Sequence, residues 1–480
     1  MNDRKGFGSN FGFLMAAVGS AVGLGNIWGF PNKMGANGGF PFLILYLALA
    51  LCCGVIIMLG ELALGRKTGH GAVGAYQSIS KRFKWLGWLG IAAAALIFSF
   101  YSALGGYCLR YVVVNFGNLI GAEFGTNGVG GADVFQGLLS QPDVSIAFAL
   151  AFMLITMLVV MCGVGGGIER VCSVGMPALF FILIICIIRS CTLPGAVDGL
   201  KYMFVPGWAV ANGIIDEAPG FWRVLTAAGG QMFFSLSLGA GVMITYGSYL
   251  DKKQDLGKST MIIVGMDTVV ALMAGLCVIP GRFALDPNGA LGGPELLFIT
   301  MQNVFDKMGP AGPVFGILFY LLVFFAAISS SISMLEVIVA HFCDKAREKG
   351  KGDRRKLYSA IVVVICAALC ALVCADGMGS NHISPAELLG LAGAKLPGWS
   401  TSWLGLFDSV AEGLLMPLGA LLMCLMISWE LKPDALRQEI LLNGENRPWV
   451  YDFFRLCVKY ITPLCMLMIL YGQISDFFIV

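Results

Sequence analysis

Gly19-Ser20-Ala21-Val22-Gly23-Leu24-Gly25-Asn26 interrupts an apolar run that carries no charged residue from Phe7 to Gly29. In the second half of the chain, Gln231-Met232-Phe233-Phe234-Ser235-Leu236-Ser237-Leu238-Gly239-Ala240-Gly241 interrupts another. Glycine inside a helix costs about 1 kcal/mol per position. Unpaired backbone in hydrocarbon costs far more, so it survives at membrane depth only where it faces protein, water or a ligand. Two glycine-interrupted segments in corresponding halves of a membrane protein point to a transporter's binding site.

The rest of the chain supports a membrane reading. Of its 480 residues, 58% are hydrophobic and 12% charged, with a mean hydropathy of +0.81. That balance excludes a soluble enzyme. Apolar runs of about 20 residues can each cross a hydrocarbon core. Eleven are expected, near 10–33, 39–64, 86–117, 145–163, 168–193, 222–249, 258–280, 310–343, 357–375, 403–430 and 452–475. Lysine and arginine set the orientation. One side takes Arg4, Lys5, Arg66, Lys67, Lys81, Arg82, Lys84, Arg170, Lys252, Lys253, Lys258, the run from Lys345 to Lys356, Lys432, Arg437 and Arg447. The other takes Lys33, Lys201, Arg282, Lys307 and Lys395. The expectation is a multi-pass protein of the cell (plasma) membrane with a cytoplasmic N-terminus, and Met1-Asn2-Asp3-Arg4-Lys5 does not read as a cleavable leader.

A single transporter domain over 1–480 is expected. Spans one to five (about 10–193) and six to ten (about 222–430) form two halves of five, each led by a broken segment. An odd count per half inverts the second half relative to the first. The last span, about 452–475, stands outside the repeat. Gly293 to Ile299 reads as a short helix over the outer mouth. No Walker loop is present, so ATP hydrolysis is not the expected energy source. Cys366, Cys370 and Cys374 form a stripe that reads as helix packing, and His70, His341 and His382 match no zinc spacing.

Breaking a membrane helix frees carbonyls at the end of one half and N–H groups at the start of the other. Carbonyls suit a small hard cation, and the N–H groups suit a carboxylate. The stretch Gly19 to Pro31 (GSAVGLGNIWGFP) followed by Asn37-Gly38-Gly39, the stretch Gln231 to Gly239 (QMFFSLSLG) and the stretch Phe324 to Ser331 (FFAAISSS) resemble signatures of the neurotransmitter:sodium symporter family. The similarity is greatest to the bacterial eleven-helix amino-acid transporters and runs from about residue 4 to 475. It implies an all-α membrane protein with the leucine-transporter-type 5+5 inverted repeat, broken helices 1 and 6, and eleven transmembrane helices. That family also serves as a general example of the broken-helix site.

The resemblance implies two Na⁺ sites. The first would use Ala21, Asn26, Ser235 and Asp267, completed by the substrate carboxylate. The second would use Gly19, Val22 and Ala326 with the hydroxyls of Ser329 and Ser330. It also implies that Tyr101, Leu24 and Gly25 hold a substrate carboxylate. Ser20, Ala21, Ile97, Phe234, Ser235, Ser237, Ala240, Ser330 and Met334 would complete the substrate site. Relatives that carry amines place an aspartate where this chain has Gly23, which favours an α-amino acid. The leucine transporter has phenylalanine at the Ala240 position, so a hydrophobic or aromatic amino acid is expected.

Asp267, Glu61, Glu336 and Glu412 lie inside apolar runs, where an ionised group is costly unless paired or hydrated. Glu61 and Glu336 are expected to bond backbone at the helix breaks. Chloride-dependent relatives hold an anion with a tyrosine, a glutamine and helix-6 and helix-7 hydroxyls. Tyr46, Gln231 and Ser235 match, but the helix-7 position is Ala271, so Asp267 itself is expected to balance the cation without chloride. Arg4, Phe7 and Asp344, with Tyr249 beside them, match an inner latch. Gly167 and Pro177 match a spacing that lets the start of span five unwind. At the outer gate Asp408 is present, but its arginine partner is replaced by Gly29, leaving Lys33 or a water-mediated closure. The expected partners are an amino-acid substrate, sodium ions and the lipid bilayer, with no nucleic acid. A proton-coupled amino-acid permease of similar architecture is the alternative. A channel and a membrane enzyme are weaker rivals, since the chain shows two gates and no catalytic constellation.

Overall fold

The computed structural model describes residues 6–288, 290–291, 293–352, 354–390, 398–431, 433–441 and 448–478. Arg4, Lys5, Lys395, Lys432 and Arg447 lie outside the described residues. Nine helices among these are long and apolar enough to cross a membrane, and one bent pair makes a tenth crossing. The bent pair is α1 (Asn10–Ala21) with α2 (Gly25–Ala36), set at 44° across the break. Then come α3 (Phe40–Thr68), α4 (Lys81–Ile120), α5 (Pro142–Met161) and α6 (Val164–Cys191). The second interruption separates α7 (Phe221–Ser235) from α8 (Val242–Gly247). The pair falls on the sixth expected span, near 222–249, and neither piece is long enough to cross alone. The chain continues as α9 (Leu256–Leu285), α10 (Gly309–Glu348), α11 (Arg355–Gly379), α12 (Trp403–Leu431) and α13 (Trp449–Ser475).

Local chemistry explains the boundaries. Ser9 caps α1, its side chain accepting from the Gly12 N–H at 2.9 Å, as N-cap hydroxyls do. Gly69 (φ 66°) ends α3 and Gly121 (φ 67°) ends α4 in the left-handed conformation that only glycine adopts freely. The turn between α7 and α8 carries Gly239 (φ 79°), Gly241 (φ 75°) and Ser237 (φ 53°). No regular helix can pass through three such residues.

Packing sorts the helices. α10 lies at the centre, against α4, α5, α6, α1 and α11. α5, α6 and α11 present large apolar side chains outward, among them Leu158, Val174, Phe181 and Val364. A continuous apolar exterior of this kind suits lipid rather than water. Cys366 packs with its sulfur 4.0 Å from the Ala95 carbonyl oxygen of α4, and no cluster of metal-ligating side chains occurs among the described residues. The helix expected near Gly293 to Ile299 starts at Pro294 and runs on through Leu296–Thr300 and Met301–Asp306. It is longer than expected because Phe298 and Phe305 extend its apolar face over the rings of Tyr107, Tyr111 and Tyr320. The end of the molecule that carries Gly6 is termed inner, and the opposite end outer.

Candidate functional site

The last turn of α1 ends with carbonyls that have no helical partner, and α10 meets them with hydroxyls. Ser330 Oγ lies 3.3 Å from the Gly19 oxygen, 3.1 Å from Ser20 and 3.4 Å from Val22. Ser329 Oγ lies 3.4 Å from the Val22 oxygen and 3.0 Å from that of Ala326. All five residues expected for the second cation site therefore converge. The donor set is carbonyl and hydroxyl oxygen with no charged side chain, which suits Na⁺ and not a transition metal. The third serine of the run, Ser331, turns away to Thr156 at 2.8 Å.

A second polar group forms where α2 begins. The Asp267 carboxylate of α9 accepts from Asn26 Nδ2 at 2.8 Å, from Ser235 Oγ at 2.9 Å and from the Tyr46 hydroxyl at 3.3 Å. Asn26 Oδ1 in turn accepts from the Gly23 N–H at 3.0 Å, and Gln231 Nε2 donates to the Gly25 oxygen at 2.6 Å. Asn26, Ser235, Gln231 and Asp267 are fully buried. Ala21 is the last residue of α1, next to these groups in the chain. Asp267 makes no ion pair with a basic side chain among the described residues: every donor that reaches it is neutral. A buried carboxylate with no counter-charge is unfavourable unless a cation or proton joins it.

Between these groups lie the expected substrate residues. The Tyr101 hydroxyl accepts from the Leu24 N–H at 2.7 Å. A Cβ on Gly23 would stand 2.5 Å from that hydroxyl and 2.2 Å from Ser330 Oγ, so position 23 has no room for a side chain. Phe234 faces Tyr101 edge-on at 6.3 Å and closes on Gly25, whose added Cβ would lie 3.0 Å from the ring. Ser237 Oγ donates to the Ser20 oxygen at 3.0 Å, and Ser20 Oγ donates to Ser333 Oγ at 2.7 Å. Ile97, Ala240 and Met334 are buried. Glu61 accepts from the Gly239 N–H at 2.7 Å, the expected backbone role at the second break.

Glu336 corrects its expectation. Among the described residues it bonds no freed backbone; it pairs with Arg355 at the start of α11, Nη2 lying 3.1 Å from Oε1, and accepts from the Tyr249 hydroxyl at 2.6 Å. Tyr249 is thereby tied to Glu336. Asp344 accepts from the Gly71 N–H at 3.1 Å and lies 3.8 Å from Arg347. Phe7 sits edge-on to Phe13, Tyr246 and Tyr249, while the fourth latch residue, Arg4, is outside the described residues. One inner contact escaped sequence reasoning. Glu169, at the start of α6, accepts from the Gly8 N–H at 2.7 Å and from Ser9 Oγ at 2.9 Å. Its only sequence signal is its place beside the glycine run Gly165-Gly166-Gly167. At the outer end Lys33 pairs with Glu412, one turn beyond Asp408, and all three line a cavity of about 290 Å³. Gly29 leaves space that Gln231 fills, Oε1 standing 2.9 Å from an added Cβ.

The chain has counterparts among known proteins. The family model described as the sodium:neurotransmitter symporter family matches residues 4–127 and 132–478. The chain belongs to the sodium:neurotransmitter symporter family. This is a family of transporters rather than enzymes, and the chain is accordingly a multi-pass membrane transporter. Among its relatives is the uncharacterized sodium-dependent transporter YhdH of Bacillus subtilis, 36% identical with 97% of each chain covered. Another uncharacterized sodium-dependent transporter, from Methanocaldococcus jannaschii, is 30% identical over 91% of this chain and 84% of the relative. The crystal structure of MhsT in complex with L-phenylalanine superposes with a TM-score of 0.83 at 33% identity, covering 98% of this chain and 100% of that one. The symporter family's leucine-transporter-like fold is thus the fold of this chain.

Proposed function

We propose that the protein is a sodium-coupled symporter of hydrophobic or aromatic L-amino acids that works by alternating access without chloride. The observation that carries this reading is the buried Asp267 carboxylate, held by neutral donors beside the freed backbone at the first break. One Na⁺ would sit between Ala21, Asn26, Ser235, Asp267 and the substrate carboxylate. A second would sit among Gly19, Val22, Ala326, Ser329 and Ser330. The carboxylate of the cargo would meet Tyr101 and the N–H groups of Leu24 and Gly25. Its side chain would lie among Ser20, Ile97, Phe234, Ser237, Ala240 and Met334. Sodium would then act as a ligand with different affinities for the outward and inward states. Phe7, Tyr249 and Asp344 would close the inner side with Arg4, and Asp408 the outer side with Lys33 and Glu412. The plasma membrane, with the N-terminus in the cytoplasm, is the proposed location, and the halves 10–193 and 222–430 are the proposed inverted repeats.

Substrate size tests this reading. Alanine in place of a phenylalanine at position 240 frees about 100 Å³ if its neighbours do not collapse inward. A substrate filling that space gains about 1–3 kcal/mol. L-Phenylalanine, L-leucine and L-tryptophan should outcompete glycine and L-alanine for labelled uptake, and Ala240→Phe should weaken the bulky competitors by about tenfold or more. A wild type that prefers glycine would rule the pocket assignment out.

Anion dependence follows from the same carboxylate. Replacing chloride by gluconate should leave uptake unchanged, because Asp267 supplies the negative charge beside the cation. Asp267→Asn should reduce uptake strongly and should weaken sodium activation. Collapse of wild-type uptake without chloride would contradict the role given to Asp267. The alternative, proton coupling, draws on the same carboxylate and predicts uptake that persists in sodium-free medium under an inward proton gradient.

A further inference from the structure

A cavity of about 260 Å³ lies at the outer end, away from both helix breaks, between α4, the helix Gly131–Leu139 and the start of α5. Arg110 of α4 and Asp133 of the short helix both line it. Among the described residues the Arg110 guanidinium makes no hydrogen bond or ion pair; it stands 5.9 Å from the centre of the Phe148 ring. Asp133, which is exposed, pairs with no cation there, and the two do not pair with each other. Tyr111 lines the same cavity, is fully buried, and its hydroxyl has no hydrogen-bond partner. Val114, Leu138 and Val144 supply an apolar wall.

A half-buried guanidinium with no hydrogen bond or counter-charge is unfavourable, and a carboxylate is its best-matched ligand. The opposite charge at Asp133 favours an ammonium group on the same molecule, and the apolar wall favours a hydrocarbon side chain. We propose that this cavity binds an α-amino acid zwitterion, with its carboxylate on Arg110 and its ammonium toward Asp133. The choice of an amino acid among zwitterions rests on the transport reading above. Phe135, on the same short helix as Asp133, stacks on Phe298 with centroids 5.3 Å apart. The helix of Phe298 begins beside Gly293, whose N–H donates to Asn32 Oδ1 at 2.6 Å and whose oxygen accepts from Trp28 Nε1 at 3.3 Å. Packed rings thus connect the short helix beside the cavity to the segment lying over α2.

The test is equilibrium dialysis of the purified full-length protein with labelled L-phenylalanine in sodium-free N-methylglucamine buffer, where the central site lacks its cation. The expected result is one saturable equivalent per chain, with affinity at least tenfold weaker in Arg110→Gln and in Asp133→Asn at unchanged melting midpoints. Phenethylamine and N-acetyl-L-phenylalanine, each lacking one charge, should compete poorly. No sodium-free binding, or binding indifferent to Arg110→Gln, would overturn the proposal. A phosphoethanolamine headgroup has the same charges. If binding is seen in phosphatidylcholine nanodiscs and lost once phosphatidylethanolamine is added, the cavity belongs to lipid and the amino-acid assignment fails. Sodium-dependent binding and uptake report on the central site alone, so failure of either reading is seen separately.

Discussion

Replacing Arg355 by alanine is expected to destabilise the protein by about 3–5 kcal/mol, the usual cost of removing one partner from a buried ion pair. Glu336 is fully buried and the Arg355 side chain is only 12% exposed, so water cannot substitute for the lost cation. The Tyr249 hydroxyl would be left as the main donor to a buried carboxylate. In detergent, the melting midpoint of Arg355→Ala should fall clearly below that of the wild type. Adding Glu336→Gln should recover part of the loss, because a neutral amide needs no counter-charge. With Tyr249 the pair also joins three elements at the inner end: the segment after α8, the body of α10 and the start of α11. Loosening it should reduce uptake as well as stability. An unchanged midpoint in Arg355→Ala, or a double variant less stable than the single, would contradict this account.

Ser330→Ala is expected to weaken apparent sodium affinity by about 10- to 100-fold. The hydroxyl lies among the carbonyls of Gly19, Ser20 and Val22, where a bond to a charged group is worth about 1.5–3 kcal/mol. If sodium and substrate bind cooperatively, apparent substrate affinity should fall with it, since the coupling is reciprocal. Ser331→Ala is the control. Its hydroxyl faces Thr156 on α5 instead, so sodium activation should stay near wild type. Sodium titrations of uptake on the two variants separate these outcomes, and equal behaviour would remove Ser330 from the proposed cation site.

Much of the fold is legible because its decisive features are local. Glycine and proline mark where helices cannot continue, and the two breaks fall at Val22–Leu24 and Leu236–Gly241, inside the quoted stretches. The convergence of Ser329 and Ser330 on the end of α1 is legible through family resemblance, since nothing local links residues more than 300 positions apart. Pairings between distant charges are the part that sequence leaves open. Arg355 sits in the basic run from Lys345 to Lys356 and reads as one more loop cation, yet it turns inward to Glu336. Lys33 has two carboxylates one helical turn apart on α12 and pairs with Glu412 rather than Asp408. Glu169 carries no sequence signal beyond its place beside the glycine run Gly165-Gly166-Gly167. Its contact with Gly8 depends on the close approach of α1, where Gly12 leaves no room even for a Cβ beside Glu169.

Sodium-driven accumulation of a hydrophobic amino acid is the central claim, and it is measured by uptake of labelled L-phenylalanine or L-leucine into proteoliposomes holding the full-length protein. An inward sodium gradient should drive accumulation above the equilibrium level, and collapsing that gradient or replacing sodium by N-methylglucamine should abolish it. Uptake that proceeds equally in sodium-free medium would contradict the account.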